Sequence, residues 1–211
     1  MVDRFVSKID AKSYTFEYQD KEKVKSILDN GCILLFSHFG GWASASSNPN
    51  TSNKIHIVMK EVLLEGIKKI ENSVQEKSNN LNVIDLNSGG ISVSIQIANA
   101  LMNNEIVAIM ADRASDTKYE KAMPFLNDTA HFNKNPFQIA YKTNKPILVF
   151  FIIFDKMQTY KIEYKHIILD QALSQEEAIT VSLNEYVNMY ETIVKKYPNQ
   201  WFNFYNFWEK K

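Results

Sequence analysis

The chain lacks several features that would assign it quickly to a class of protein. It has one cysteine, Cys32, among 211 residues, which excludes an intrachain disulfide and leaves no second thiolate for a cysteine metal cluster. Lysine plus arginine equals aspartate plus glutamate at 24 each, so no net positive charge is present to hold a nucleic acid. These shortages favour a reducing, cytoplasmic compartment and disfavour a nucleic-acid partner.

Long apolar runs are also missing. The first residues contain no apolar run of signal-peptide length, and the longest unbroken run, Ile147 to Phe154, suits a buried strand. The length of 211 residues suits one well-packed domain, so we expect a single domain over residues 1–211, with no transmembrane anchor. It is expected in the cytoplasm, with any membrane contact being peripheral and on the inner face of the cytoplasmic membrane.

Aromatic side chains, by contrast, are abundant at 12% of the residues, and hydrophobic residues at 45% predict a sizeable folded core. Six aromatic residues fall close together near the end of the chain: Trp201, Phe202, Phe204, Tyr205, Phe207 and Trp208. Such a cluster needs either a core or an interface. We favour packing against the core, because the run lacks the Lys/Arg face of an interfacial helix.

Strand-like and helix-like segments alternate along the chain, which predicts an α/β fold. The expected architecture is a central, mostly parallel or mixed sheet flanked by helices on both faces, with an antiparallel pair near the end. Strands are predicted over 13–18, 32–37, 55–59, 83–86, 106–111, 146–154 and 159–166, and helices over 21–28, 42–47, 60–77, 91–102, 136–143 and 176–196. The helix over 91–102 has Ile91, Ile95, Ala98 and Met102 along one side, and residues 114–134 are expected to form a polar loop.

Three polar residues follow two of the predicted strands. His38 follows the strand over 32–37, and Asp112 and Arg113 follow the strand over 106–111. The C-terminal tips of parallel strands face the crevice where ligands bind. A histidine there suits a general base, since its unperturbed pKa is about 6.5. A lone histidine after a buried strand is more often structural, so the neighbouring sequence has to decide.

That neighbouring sequence, Ser37 to Trp42, reads SHFGGW and resembles the histidine signature of the lysophospholipid acyltransferase superfamily. Three further segments agree with it in order and spacing: MADR at 110–113, FL through Ala130 to PF at 125–137, and PNQWFNF at 198–204. The last is similar to the ending of the bacterial branch related to lipid A lauroyl and myristoyl acyltransferases. The similarity covers nearly the whole chain, from about Gly31 to Trp208.

This resemblance implies a transfer of an acyl chain from a carrier thioester to a hydroxyl or amine of a glycolipid, lysolipid or related amphiphile. His38 would be the catalytic base, and Asp112 and Arg113 would be the family's acidic–basic pair beside the acceptor site. Substrate contacts are expected from Gly40, Gly41, Trp42, Arg113 and Phe125. The co-substrate would be acyl carrier protein or coenzyme A carrying the acyl group, with no bound metal or cofactor. From the residues alone, Arg113 is as readily a salt-bridge partner of Asp112 or Asp116 as an anion clamp.

One departure from the family pattern bears on catalysis. The family places Asp or Glu five positions after the histidine, where this chain has Ala43. We expect Asp112 to replace the missing acid in part. The alternatives are a catalytically impaired homologue that still binds lipid or acyl carrier, and a partner subunit of a glycosyltransferase.

Overall fold

The centre of the fold is a seven-stranded mixed sheet. A computed structural model describes residues 14–42, 51–60 and 80–208. Its strands are β1 (Thr15–Tyr18), β2 (Ile33–Phe36), β3 (Ile55–Met59), β4 (Leu81–Asp85), β5 (Ile106–Met110), β8 (Ile147–Lys156) and β9 (Thr159–Ile167). They lie in the order β1-β9-β8-β2-β5-β3-β4, in which β8 and β9 are antiparallel and every other neighbouring pair is parallel.

Helices cover both faces of this sheet. The described helices are α1 (Lys21–Asp29), α2 (Gly90–Met102), α3 (Asn135–Thr143) and α4 (Gln175–Lys196). Apolar residues of α2, α3 and α4 pack into one buried cluster, and those of α1 pack into another on the opposite face. Strand β2 supplies both clusters, because Ile33 and Leu35 face the first while Leu34 faces the second. The prediction of an α/β sheet with helices on both faces is confirmed.

The ends of the long helix α4 follow from its sequence. Ser174 caps its N-terminus by accepting a hydrogen bond from the Glu177 backbone N–H, while the Glu177 carboxylate accepts one from the Ser174 backbone N–H. Lys195 and Lys196 lie in the last turn, where their charge complements the helix dipole. This helix places two tyrosines, Tyr186 and Tyr190, on its buried face behind the functional site described below.

The expectation of a polar loop over 114–134 is wrong. This stretch contains an antiparallel hairpin, β6 (Glu120–Phe125) and β7 (Asp128–Asn133). Its two-residue turn has positive φ at Leu126 and Asn127, 51° and 67°, as hairpin turns whose twist matches the strands require. Pro124 lies inside β6, and a proline in a sequence segment normally disfavours an inner strand. In a two-stranded hairpin both strands are edge strands, so the proline is tolerated there.

Helix α2 lies where the periodicity predicted it, but a different side is buried. Its buried residues are Val93, Ile97, Ala100 and Leu101. The side singled out from the sequence contains Ile91, Ile95 and Met102, which are exposed. The helix has no charged residue, so its composition gave no indication of which apolar side faces the sheet.

Nearly all of two predicted helices, those over 60–77 and 42–47, lies outside the described residues, as does Ala43. Among the helices of the described ranges, none combines the length and the apolar character needed to cross a membrane.

Candidate active site

A histidine and an aspartate meet at the C-terminal edge of the sheet. His38 follows β2 after one residue, and Asp112 follows the adjacent strand β5 after one residue. Because β2 and β5 are parallel and in register from Ile33–Val107 to Phe36–Met110, the two tips lie side by side. His38 Nδ1 lies 2.8 Å from Asp112 Oδ2 and 3.1 Å from Oδ1. The sequence analysis placed both residues at strand tips, and the structure brings them into hydrogen-bond contact.

The Asp112 carboxylate fixes His38 in two ways. Besides its contact with the ring, Oδ2 accepts a hydrogen bond from the His38 backbone N–H at 3.2 Å. A carboxylate accepts hydrogen bonds only, so Nδ1 carries the proton and Nε2 of the neutral ring keeps its lone pair. Nε2 has no hydrogen-bond partner among residues 14–42, 51–60 and 80–208, and the His38 side chain is 29% exposed. The imidazole is therefore held in the tautomer that a general base needs.

Asp112 itself is buried, with 1% of its surface exposed. Its compensating charge comes from Arg113, whose Nε lies 3.6 Å from Oδ2. Two buried tyrosines of α4 lie near it: burial, followed by the negative charge of Asp112, raises the pKa of Tyr186 and of Tyr190. A carboxylate held against aromatic side chains with little water around it exerts a stronger field on its histidine than an exposed one.

The Arg113 guanidinium is oriented from two sides. It stacks over the ring of Tyr205 at 5.0 Å and remains 40% exposed beyond Asp112. The alternative partner, Asp116, is paired with Lys118 at 2.9 Å instead. Arg113 is thus a partner of Asp112 with its outer surface free for a ligand, and its contact with substrate stays a prediction.

The imidazole also contacts an indole. Trp42 lies edge-on to the His38 ring with the ring centroids 5.5 Å apart. Such a contact restricts rotation of the imidazole about its side-chain bonds. A role of Trp42 in substrate binding stays a prediction.

The turn after His38 is locked into the protein. Gly40 N–H donates to the Gln200 carbonyl at 2.8 Å, and Gly41 N–H donates to the Ile152 carbonyl at 2.7 Å. Gly40 has φ of +57°, and a Cβ there would lie 2.0 Å from the Ile152 carbonyl oxygen. A Cβ on Gly41 would meet the Tyr160 ring at 2.5 Å.

Close packing of the turn against β8 and β9 therefore explains both glycines. Their contact with substrate, expected from the resemblance, stays a prediction. Since the N–H groups of Gly40 and Gly41 are both occupied by protein carbonyls, neither is free to stabilise an oxyanion.

Phe125, also expected to contact substrate, lies in the aromatic core. It is 1% exposed and stacks on Tyr190 with the centroids 5.3 Å apart. Its other ring neighbours are Phe132, Trp201 and Phe207. This buried position does not favour a direct substrate contact, because no part of the ring reaches the crevice. An aromatic residue at this position is instead explained by its packing against α4, the helix that carries Tyr190 and Tyr186 near Asp112.

Two residues that organise the site were not evident from the sequence. Tyr186 OH lies 2.7 Å from Ser37 Oγ, in a buried hydrogen bond directly before His38. Gln200 holds the C-terminal segment against β8, since its side chain bonds both the N–H and the carbonyl of Phe154, at 2.8 and 2.9 Å. A buried tyrosine hydroxyl needs a polar partner, but no local pattern in the sequence names that partner.

A second histidine–carboxylate pair lies at the opposite edge of the sheet. His56 Nε2 is 2.6 Å from Glu105 Oε2, and its Nδ1 is 3.0 Å from Asn82 Nδ2. Both ring nitrogens are occupied and the residue is 8% exposed, so it links β3, β4 and the start of β5 without a free lone pair. Within the described ranges, no three His, Cys, Asp or Glu side chains are grouped closely enough to hold a metal ion.

Comparison with known families identifies the family of the chain that carries this histidine–aspartate pair. The model of the bacterial lipid A biosynthesis acyltransferases matches residues 5–210 of the 211. The chain belongs to this acyltransferase family. The resemblance noted from the sequence is thereby confirmed, and the chain is an acyltransferase homologue of the lysophospholipid acyltransferase superfamily.

A solved structure agrees with the fold. The chain is similar to the 1-acyl-sn-glycerophosphate (LPA) acyltransferase of Thermotoga maritima, with a TM-score of 0.50 and 15% sequence identity. The alignment covers 91% of this chain and 76% of that enzyme. At this identity the similarity establishes the fold only. Comparison with curated proteins gave no match.

Proposed function

We propose that this acyltransferase moves a fatty acyl chain from a carrier thioester to a hydroxyl or amine of a glycolipid, lysolipid or related amphiphile. The observation that carries the proposal is the contact of His38 Nδ1 with the buried Asp112 carboxylate at 2.8 Å. It supplies, from a neighbouring strand, the acid that the family places five positions after the histidine, where this chain has Ala43.

The chemistry proceeds by proton transfer through Nε2, the ring nitrogen of His38 that faces away from Asp112. His38 Nε2 accepts the proton of the acceptor hydroxyl or amine, and the freed oxygen or nitrogen attacks the thioester carbonyl carbon. As the carbon–sulfur bond breaks, the carrier thiolate leaves and takes the proton from the imidazolium. Asp112 keeps the ring in its base tautomer and stabilises the imidazolium between these two steps.

Arg113 supplies the positive charge at this site. Its exposed outer face suits a phosphate of the acceptor or of the carrier, because both proposed carriers attach the acyl group through a phosphate-containing arm. We propose acyl carrier protein or coenzyme A as the carrier, with no bound metal or cofactor. The lipid acceptor would be met at the inner face of the cytoplasmic membrane.

The proposal is tested with purified protein and lauroyl- or palmitoyl-coenzyme A, by following thiol release with and without an extract of the cell's own lipids. Thiol release by the natural chain that disappears in His38→Ala is the expected result. His56→Ala is the matched control, since it removes a histidine that is also paired with a carboxylate but lies at the opposite edge, and its activity should be retained in proportion to folded protein. Equal activity of natural chain and His38→Ala would refute the assignment of the base.

Ala43 favours one rival, a homologue that binds lipid or acyl carrier without turnover, alone or beside a glycosyltransferase. The variant Ala43→Glu separates the two. Activity in the natural chain supports the enzyme, whereas activity that appears only in Ala43→Glu supports the rival. Lipid profiles of cells with and without the gene then identify the acceptor, as the amphiphile whose acylated form is lost.

A further inference from the structure

Four exposed apolar side chains lie on loops and strand ends at the carboxyl edge of the sheet. We call them the edge patch: Phe154, Met157, Phe202 and Phe204. Phe204 is 90% exposed and Met157 is 83% exposed, while the other two are 48% and 41% exposed. Large apolar side chains exposed to water are costly, and several of them at one edge of a sheet indicate a site of interaction.

Hydrogen bonds connect the edge patch to the turn that contains His38. Phe202 N–H donates to the His38 carbonyl at 3.0 Å, so the segment containing Phe202 and Phe204 runs directly beside the histidine. Gln200 clamps Phe154 at the end of β8, and Met157 follows in the turn to β9. Because β8 is parallel to β2, this turn lies at the same edge as His38.

The C-terminal aromatic cluster is thus divided between two environments. Trp201, Phe207 and Trp208 pack against the core, and Trp208 donates its indole N–H to the Phe125 carbonyl at 3.1 Å. Phe202 and Phe204 point out of that core. The expectation that the cluster packs against the core therefore holds for Trp201, Phe207 and Trp208, whereas the exposed Phe202 and Phe204 need a different partner.

The charged residues beside the edge patch favour a lipid surface as its partner. Around the edge patch, Asp155 is neutralised by Lys161 at 2.6 Å, whereas Lys156, next to Met157, has no ion pair within the described part of the chain. Protruding phenylalanines beside an uncompensated lysine match the apolar interior and the phosphate layer of a bilayer. The chain has no net charge, so apolar insertion should outweigh long-range attraction.

We propose that the edge patch docks the protein on the surface of a phospholipid bilayer, with Phe204 and Met157 inserted and the His38–Asp112 crevice facing the headgroups. The purpose of this docking rests on the proposed function. In this orientation an amphiphilic acceptor reaches His38 Nε2 without leaving the bilayer. Binding itself does not require turnover.

Vesicle flotation tests the proposal with phosphatidylcholine vesicles, with and without phosphatidylglycerol. Phe204→Glu and Met157→Glu should each weaken binding about tenfold or more, since an inserted apolar side chain of this size contributes at least about one decade in affinity. The matched control is Met102→Glu at the end of α2, which is 78% exposed but lies at the opposite edge of the sheet. It should bind as the natural chain does.

Three results would overturn the proposal. The natural chain could fail to float with either vesicle, or Met102→Glu could lose as much binding as the patch variants. The third is a dimer, seen by light scattering, that Phe204→Glu dissociates, since this assigns the patch to a second copy of the chain. Circular dichroism of each variant confirms that it is folded.

The outcome is separable from that of the proposed function. His38→Ala should float with vesicles like the natural chain even though it releases no thiol. Phe204→Glu should retain hydrolysis of a soluble thioester while losing about tenfold in transfer to acceptors embedded in vesicles. If His38 proves not to be catalytic, vesicle binding that still depends on Phe204 and not on Met102 supports the docking surface by itself.

Discussion

The Asp112→Asn substitution is the sharpest test of the site, because it changes one oxygen into an NH₂ group at nearly constant volume. The carboxylate accepts from both His38 Nδ1 and the His38 backbone N–H. An asparagine has only one acceptor oxygen for these two donors. If that oxygen stays with the backbone, the NH₂ group faces Nδ1 and forces the proton onto Nε2, so the ring no longer acts as the base.

The expected loss follows from two effects. The first is this tautomer change; in other enzymes with a histidine–carboxylate pair, the same replacement costs about four orders of magnitude in rate. The second is loss of the charge that stabilises the imidazolium, worth about 4 kcal/mol for two charges about 4 Å apart at an effective dielectric of about 20. Arg113, 3.6 Å from the carboxylate, offsets part of this second effect. We therefore expect kcat to fall about a thousandfold or more.

The assay is thiol release from acyl-coenzyme A at saturating acceptor, with kcat and KM measured separately. KM should change little, because Asp112 is 1% exposed and acts through His38. Asp116→Asn provides the matched control: it is the same chemical change on an exposed aspartate four residues further along, paired with Lys118. A loss smaller than tenfold in folded Asp112→Asn would refute the replacement of the family's acid by Asp112.

Three further predictions concern the framework of the site. Gly40→Ala should lower the free energy of unfolding by about 3 kcal/mol, because its Cβ meets a β8 carbonyl at a positive φ. Gly89→Ala, at positive φ but with open space around the added Cβ, should lose only the backbone cost of about 1–2 kcal/mol in urea unfolding; equal losses would contradict the close-packing argument. Tyr186→Phe should cost about 1–2 kcal/mol by stranding the Ser37 hydroxyl, and combining it with Ser37→Ala should cost less than the sum of the single changes; simple additivity would count against the buried bond. Burial raises the pKa of Cys32 from 9.0 to about 12, so iodoacetamide should label the thiol at pH 8 only as the protein unfolds. The folded state favours the protonated thiol, so this contribution to stability is full below about pH 9 and declines as pH rises towards 12; rapid labelling of native protein would contradict it.

Local patterns in the sequence predicted most of the described elements. The alternation of apolar strands with helical periodicity gave the α/β sheet, and the antiparallel pair near the end was confirmed as β8 and β9. Periodicity was insufficient for α2, which is apolar on more than one side and uncharged, so only contact with the sheet selects the buried side. Periodicity also did not indicate the β6–β7 hairpin, because this hairpin depends on a two-residue turn with positive φ at both residues.

In the candidate site too, the sequence indicates the residues but not the contacts between them. Residues that follow an apolar strand are visible in the sequence, and this is how His38, Asp112 and Arg113 were selected. His38 and Asp112 are 74 residues apart along the chain, so the hydrogen bond between them cannot be inferred until the strand order is known. Placing β5 beside β2, in parallel and in register, brings the two tips together.

By itself, then, the sequence determined the family, the fold class and the residue types at the strand tips, because these depend on local composition and on motifs read along the chain. Only the tertiary structure decided which side chains touch. It supplied a carboxylate to His38 from the neighbouring strand, gave Gly40 and Gly41 a packing role, and separated the buried aromatic residues from the exposed ones. Such contacts depend on which strands are neighbours and on which faces they cover, and both are properties of the whole sheet.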